Sequence, residues 1–267
     1  MGYRVVAHNT STASANKIHD DDVARSFGFR GGLVPGVDVY AYLCHLPADR
    51  WGRAWLERGT MTARFLSPVY DGDEVDVDAH EHDGALELTL RDPAGTVCAT
   101  GRATLPDVRP VAPDPQEWPS GRPPPDPPLA GPEVFRAAPL GSIRAVFVAD
   151  EAPLYLDDIR EHLPLFRAGG PAHPGWLLRF ANYVLTANVR MGPWIHVEST
   201  TQHLAVVADG DEVETRAVVV GVSERSGHRF VELDVLQLVG ERPVTRTTHL
   251  AIYQPRRSGA ESTAGRP

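Results

Sequence analysis

Residues 16–36 read NKIHDDDVARSFGFRGGLVPG and lead directly into an apolar run that begins VDVYAYLCHL. An amide and an imidazole, Asn16 and His19, precede three consecutive acids, and a short amphipathic segment follows them. Small residues then lead to Pro35 and Gly36, where a helix is predicted to begin. The run after Gly36 is apolar on nearly every side, which predicts a helix enclosed by a sheet rather than one lying on a surface.

The same plan occurs twice in the chain. DGDEV stands at residues 71–75 and again at 209–213, while Pro-Gly stands at 35–36 and again at 174–175. Each Pro-Gly precedes an apolar helical run, and strand patterns of period 2 follow it. The predicted strands are 3–7, 60–66, 74–82, 85–91, 96–105, 135–148, 212–222, 229–239 and 245–253. Two tandem α+β repeats are therefore predicted, residues 1–105 and 133–255, each a long antiparallel sheet wrapped round a helix.

A proline-rich tract separates the two repeats. Residues 106–132 contain about half of the chain's 24 prolines, including the run RPPPDPP. Because proline has no backbone N–H to donate to a sheet, the tract is predicted to be a stiff linker that crosses the outside of the molecule. The last residues, 256–267, are polar and rich in small side chains, and we expect them to be disordered.

Bulk composition excludes several classes of protein. The 267 residues are 42% hydrophobic and 23% charged, which is ordinary for a soluble globular protein. A net charge of -9 argues against a nucleic-acid partner, and no apolar run approaches the ~20 residues that a membrane-spanning helix needs. The two cysteines, Cys44 and Cys98, are predicted to be buried and reduced. With no secretory signal pattern at the start, we expect a cytoplasmic protein.

The stretch that contains Asn16, Ile18 and His19 resembles the motif of the MaoC-like (R)-specific enoyl-CoA hydratases and dehydratases. In that family a loop of the form D-x-N-P-[LIV]-H precedes a short helix and a small-residue turn into a central helix. Ser14 stands where the family has its Asp, and Lys17 where it has Pro. The family has the hotdog fold, so the resemblance implies a double hotdog whose two sheets join edge to edge.

The resemblance also implies the chemistry. The substrate would be an acyl thioester carried on CoA or on an acyl carrier protein, and the enzyme a hydro-lyase, with no metal or redox cofactor. His19 would be the general acid/base, because imidazole titrates near neutral pH. Asn16 would hold the water or the substrate through its amide, and Asp20 or Asp21 would replace the missing carboxylate.

The entry to the first helix is the predicted binding site for the thioester carbonyl. Backbone N–H groups at a helix N-terminus lack partners, so those of Gly36 and Val37 would polarise the carbonyl. Gly31 and Gly32 would permit a close approach that a side chain blocks. Plain turn geometry explains the same glycines equally well.

The second repeat offers a further candidate set. His173 directly precedes the second Pro-Gly, and with Gly175 it is expected to contact the acyl group. Asn182 and Asn188 lie on the second apolar helix, where a buried amide needs a partner. By the resemblance, this repeat shapes the acyl pocket while the first carries out the reaction.

Three other interpretations remain open. Asp38, one turn into the first helix, would activate water if the protein were a hotdog thioesterase. The substitution at Ser14 favours a protein that binds an acyl thioester without catalysis. In the third interpretation, which is purely structural, Asn16 caps the loop, His19 packs at the helix start, and the three acids are the N-cap and first-turn charges of a short helix. Association of two chains into a homodimer is compatible with every interpretation.

Overall fold

The computed structural model describes residues 1–12, 14, 16–137 and 139–256. The segment 256–267 that was expected to be disordered lies outside these residues, apart from Arg256. The helices are α1 (Asp21–Ser26), α2 (Gly36–Arg58), α3 (Pro132–Ala137), α4 (Ala152–Asp158) and α5 (Pro174–Asn188). The strands are β1 (Gly2–Val6), β2 (Thr60–Phe65), β3 (Glu74–His82), β4 (Ala85–Arg91), β5 (Val97–Thr104), β6 (Ile143–Val146), β7 (Ile195–His203), β8 (Glu212–Arg225), β9 (His228–Val239) and β10 (Arg242–Gln254).

All of these strands belong to one antiparallel sheet. Its order is β1-β3-β4-β5-β2-β7-β10-β9-β8-β6, so the first half of the chain forms one end and the second half the other. The two halves join where β2 pairs with β7, with Ala63 opposite Ser199. The expected edge-to-edge junction of two repeats is therefore present, and it creates a seam between the halves.

Helices α2 and α5 pack against one face of the sheet and against each other. Tyr40, Leu43 and Cys44 of α2 are completely buried, as the apolar run predicted. Helix α2 is kinked at Gly52, whose φ of 55° is a left-handed value that glycine adopts without strain. Among the described helices, none combines the length and the apolar content needed to cross a membrane.

The repeated DGDEV sequence has the same structural role in both halves. In the first half, Ala7 N donates to Asp73 O (2.8 Å) and Gly72 N donates to Ala7 O (2.9 Å). In the second half, Phe147 N donates to Asp211 O and Gly210 N donates to Phe147 O, both at 2.9 Å. Each turn therefore fixes the end of the first strand of its own half. The shared residues have equivalent roles: Oδ1 of Asp71 and of Asp209 each accept from a backbone N–H after that strand, and Gly72 and Gly210 have positive φ values of 77° and 79°.

The prediction of a strand at residues 135–148 is wrong for the first part of that range. The expected strand 135–148 starts as helix α3, and only Ile143–Val146 is paired, with β8. Pro132 is the first residue of α3, a position that proline favours because its missing N–H would have no helical partner there. Phe135 packs from this helix into the core and supplied the apolar signal that suggested a strand.

Part of the proline-rich tract crosses the outer face of the second half. Trp118 is 1% exposed and packs on Leu236 and Leu238 of β9. Successive side chains of a strand point to opposite faces, and the intervening Gln237 donates to Leu177 O of α5. Trp118 therefore covers the face of the sheet opposite α5. Its Nε1–H donates to Asp234 O at 3.0 Å, and the Arg246 guanidinium lies 4.9 Å from its ring.

We expect Trp118→Phe to lower the free energy of unfolding by about 1–2 kcal/mol, because it removes the bond to Asp234 and weakens the cation–π contact while keeping most of the packing. Urea denaturation of the two proteins measures the difference. Trp51→Phe, at a partly buried position on α2, is the matched control. An unchanged midpoint for Trp118→Phe would mean that the tract is only a passive linker.

Candidate functional site

A cavity of about 250 Å³ lies at the seam between the two halves. Its first-half wall comes from the segment 16–39 and from the connection after β2, while α5, β7 and β10 supply the second-half wall. Most of the wall is apolar, with Phe29, Val39, Phe65 and Ile252 among its side chains. We call this space the seam cavity; its polar wall residues include Asn16, His19, Gly36, Ser67, Asn182 and His196.

His19 is held in one tautomer. Its Nδ1 lies 2.6 Å from the Leu33 carbonyl oxygen, which can only accept, so Nδ1 carries the proton and Nε2 is unprotonated. Burial lowers the pKa of His19 below its ordinary value, against the opposing effects of the Leu33 carbonyl and Asp38. The ring is therefore neutral at pH 7, with Nε2 available as a base.

Asn16 links the two halves across the seam. Its Oδ1 accepts from Trp194 N at 3.1 Å, and its Nδ2 donates to Trp194 O at 3.0 Å. The same Nδ2 lies 3.4 Å from Nε2 of His19. Both atoms of the amide are therefore hydrogen-bonded within the protein, and the water-holding role expected for Asn16 gains no support. Its contacts position His19 instead.

Asp20 and Asp21 are used by the local backbone. Oδ1 of Asp20 caps α1 by accepting from Asp22 N and Val23 N, both at 3.1 Å. Oδ1 of Asp21 accepts from Gly32 N at 2.8 Å, and this bond keeps the pKa of Asp21 below its usual value. Neither carboxylate lines the seam cavity, where the described residues include no acid. The pairing of His19 with Asp20 or Asp21 is therefore not supported.

The predicted glycines fall into two groups. Gly36 lines the cavity at the first residue of α2, and its N–H makes no hydrogen bond within the described part of the chain. The N–H of Val37 is likewise unpaired there, but Val37 does not line the cavity. Gly31 and Gly32 lie outside it, and a Cβ on Gly32 would collide with the His19 carbonyl oxygen. Gly32 therefore allows the loop to hold His19 in place.

Asp38, the candidate base of a hydrolase, is completely buried. Its Oδ1 lies 2.8 Å from Nη2 of Arg179 on α5, and its Oδ2 accepts from the Thr10 hydroxyl at 2.6 Å. It does not line the seam cavity. Asp38 therefore joins the two central helices as an ion pair.

Comparison with known proteins identifies the architecture. No protein-family model and no curated protein matches the chain. A conserved hypothetical protein from Mycobacterium tuberculosis, described as a double hotdog, superposes with a TM-score of 0.59 at 16% identity, over 94% of this chain and 95% of its own. The chain has the double hotdog fold. This confirms the prediction made from the repeat and the motif.

Other structural neighbours have different assignments. A protein from Chloroflexus aurantiacus, provisionally assigned as a MaoC domain dehydratase, gives a TM-score of 0.62 at 9% identity, over 95% of this chain and 93% of its own. A protein from Novosphingobium aromaticivorans, provisionally assigned as a thioesterase, gives 0.52 at 14%, over 84% and 88%. At these identities the similarity establishes the fold, and the activity has to be argued from the site.

The N-terminus of α5 lies beside a second cavity of about 280 Å³, separate from the seam cavity, and His173 lines it. His173 caps α5 by accepting from Gly175 N at 3.0 Å, and burial lowers the pKa of its ring. A Cβ on Gly175 would lie 2.7 Å from Cβ of Ala41, so the glycine permits close packing of the two helices. Neither His173 nor Gly175 lines the seam cavity. Their predicted contact with the acyl group therefore gains no support.

Side chains around Glu161 are the one group in the described residues with metal-ligand spacing. Ligand atoms of His45, Glu161 and His162 lie within 4.8 Å of one another. Oε1 of Glu161 already accepts from the backbone N–H groups of His162 (2.7 Å) and Leu163 (2.8 Å). Burial alone would raise the pKa of Glu161, but the imidazole of His173, whose Nε2 lies 3.7 Å from Oε2, and the hydrogen bond with His45 lower it well below the usual range. The carboxylate therefore acts as an anchor for the surrounding imidazoles.

Of the second-half residues that line the cavity, sequence analysis named Asn182 but gave His196 no role in the site. His196 lies at the start of β7, with Nε2 2.7 Å from the Ser199 hydroxyl and Nδ1 unpaired within the described residues. A Cβ on Gly36 would come 2.9 Å from that Nδ1, so the ring packs against the entry of α2. No local motif marks His196, because it reaches Gly36 only when the two halves associate.

Proposed function

We propose that the protein binds an acyl thioester in the seam cavity and interconverts 2-enoyl and 3-hydroxyacyl thioesters. The observation that supports this most is a neutral His19, with Nδ1 fixed on Leu33 and Nε2 unprotonated, in the same apolar cavity as the unpaired N–H of Gly36. A base and an oxyanion donor in one largely apolar site are what proton transfer next to a thioester carbonyl requires.

Gly36 and His19 have separate roles in the proposed reaction. The Gly36 N–H donates to the thioester oxygen and stabilises the negative charge that develops on it. In the hydration direction, Nε2 of His19 takes a proton from water as the water oxygen bonds to C3. The imidazolium then gives that proton to C2 of the enolate, which restores the thioester and the neutral ring. Dehydration is the reverse sequence. Because no carboxylate lines the described cavity, His19 serves both proton transfers.

A second candidate is a protein that binds the acyl thioester without reaction. The absence of an acid from the described cavity wall favours it, together with Ser14 at the position of the family's Asp. A thioesterase is less favoured, because Asp38 is engaged by Arg179 and Thr10. For each of these candidates the proposal includes CoA or an acyl carrier protein as the carrier and a cytoplasmic location.

The proposal is tested with crotonyl-CoA and longer 2-enoyl-CoAs. Hydration removes the conjugated enoyl absorbance without releasing free thiol, whereas hydrolysis releases thiol. We expect loss of the absorbance alone. Thermal stabilisation by the ligand without either signal would establish the binding protein instead, and release of thiol would establish the thioesterase.

The pH dependence of hydration follows from the environment of His19. The base must be neutral, and burial lowers the pKa of His19 below 6.5. We therefore expect kcat/KM to decline toward acid pH with a midpoint below 6.5. A rate profile with crotonyl-CoA measures this. A midpoint of the acid limb at or above 6.5 would contradict the assignment of His19 as the base.

A further inference from the structure

Asn182 is a polar side chain without a partner on the second-half wall of the seam cavity. It lies in the middle of α5, and the Oδ1 atom of its amide makes no hydrogen bond within the described residues. Its Oδ1 is out of reach of solvent. Most of the surrounding wall is apolar, so it provides no hydrogen-bonding group for this amide in place of water.

A second asparagine on the same helix shows what a structural amide looks like in this protein. Oδ1 of Asn188 accepts from Gly141 N at 2.6 Å. Its Nδ2 donates to Gly141 O and Val184 O, both at 2.7 Å. Buried amides in folded proteins are normally satisfied in this way. Asn182 departs from the rule at the point where α5 lines the seam cavity, so a ligand bound in this cavity can supply its partner.

We infer that the Asn182 amide binds the oxygen on C3 of the substrate, which is the 3-hydroxyl of a 3-hydroxyacyl thioester and the attacking water in the hydration direction. The oxygen and nitrogen of an amide are assigned by its orientation, and a hydroxyl or a water, which both donates and accepts, suits whichever of the two atoms faces the cavity. A carbonyl oxygen only accepts, so it suits the amide in one of those two orientations. The inference rests on the proposed function and extends it to the recognition of the substrate.

This assignment gives each half of the double hotdog its own task. The first half supplies His19 for proton transfer and Gly36 for the carbonyl, and the second half supplies Asn182 for the oxygen on C3. The water-holding role that sequence analysis gave to Asn16 thereby moves to Asn182, because the Asn16 amide is engaged by Trp194. Substrates with an oxygen on C3 are distinguished from saturated acyl thioesters by this single amide.

The test compares binding of 3-hydroxybutyryl-CoA and butyryl-CoA by calorimetry, in the wild-type protein and in Asn182→Leu. We expect the wild type to prefer the hydroxylated ligand, and the variant to lose about tenfold in affinity for it while its affinity for butyryl-CoA is unchanged. The variant's kcat for crotonyl-CoA should fall by more than its KM changes, because the water is no longer oriented. Asn182→Asp retains an acceptor of the same shape and should keep part of the preference.

Stability provides the matched control. Asn188→Leu should lower the melting temperature, because it leaves Gly141 unpaired, whereas Asn182→Leu should leave it unchanged or raise it. A fall for Asn182→Leu as large as that for Asn188→Leu would show a structural amide and overturn the inference. Equal binding of both ligands by wild type and Asn182→Leu would also overturn it and leave the proposed function intact. If the wild type bound neither ligand, the proposed function would fail and the inference with it.

Discussion

Replacement of His19 by alanine is expected to lower kcat for hydration of crotonyl-CoA by about 10²- to 10⁴-fold, the usual contribution of a positioned acid/base group. The reason is that both proton transfers pass through Nε2, and the described cavity wall contains no carboxylate that replaces it. Initial rates with the two proteins measure the effect.

His8→Ala is the control for this experiment. His8 is a partly exposed imidazole that contacts Asp71 outside the seam cavity, so its removal should leave the rate unchanged. Binding of butyryl-CoA should survive in His19→Ala, because the apolar wall and the Gly36 N–H are retained. Equal turnover by wild type and His19→Ala would end the assignment of hydro-lyase chemistry to this residue.

The second large effect concerns the ion pair between the central helices. Asp38→Leu should lower the free energy of unfolding by about 3–5 kcal/mol, because it leaves Arg179 buried without its partner. The Asp38 side chain is completely buried and that of Arg179 is 18% exposed, so solvent screens the pair only weakly. Urea denaturation measures the loss.

The double variant Asp38→Leu/Arg179→Leu is the matched control. Removing both charges should recover much of the stability lost in Asp38→Leu, since an apolar pair of similar size often replaces a buried ion pair without loss. The conservative Asp38→Asn distinguishes a structural from a catalytic carboxylate. If Asp38→Asn folded with unchanged stability and abolished release of thiol from acyl-CoA, Asp38 would be a hydrolytic base and the structural role would be wrong.

The architecture could be predicted because the same short sequences occur in both halves of the chain. The DGDEV turns at 71–75 and 209–213 and the Pro-Gly pairs at 35–36 and 174–175 mark the same points in both halves. Both turns make equivalent hydrogen bonds with the first strand of their half, so the repetition reflects a shared backbone requirement. The segment around Phe135 was predicted less well, because a short apolar run does not distinguish a strand from a helix.

Only those site residues that lie close together in the sequence could be predicted. His19 and Gly36 lie 17 positions apart in one stretch, and both line the seam cavity. Asn182 and His196 come from the other half and reach the cavity through the β2–β7 junction, which no spacing in the sequence expresses. The acids were misleading for a physical reason, since a carboxylate beside a helix start and a glycine turn is as well suited to accept backbone N–H groups as to transfer protons.

The most direct measurement is a crystal structure of His19→Ala with 3-hydroxybutyryl-CoA bound. The account predicts the acyl group in the seam cavity, the thioester oxygen within hydrogen-bonding distance of Gly36 N, and C2 next to the space vacated by the imidazole. An acyl group bound elsewhere on the protein, with the seam cavity empty or filled by side chains, would contradict it.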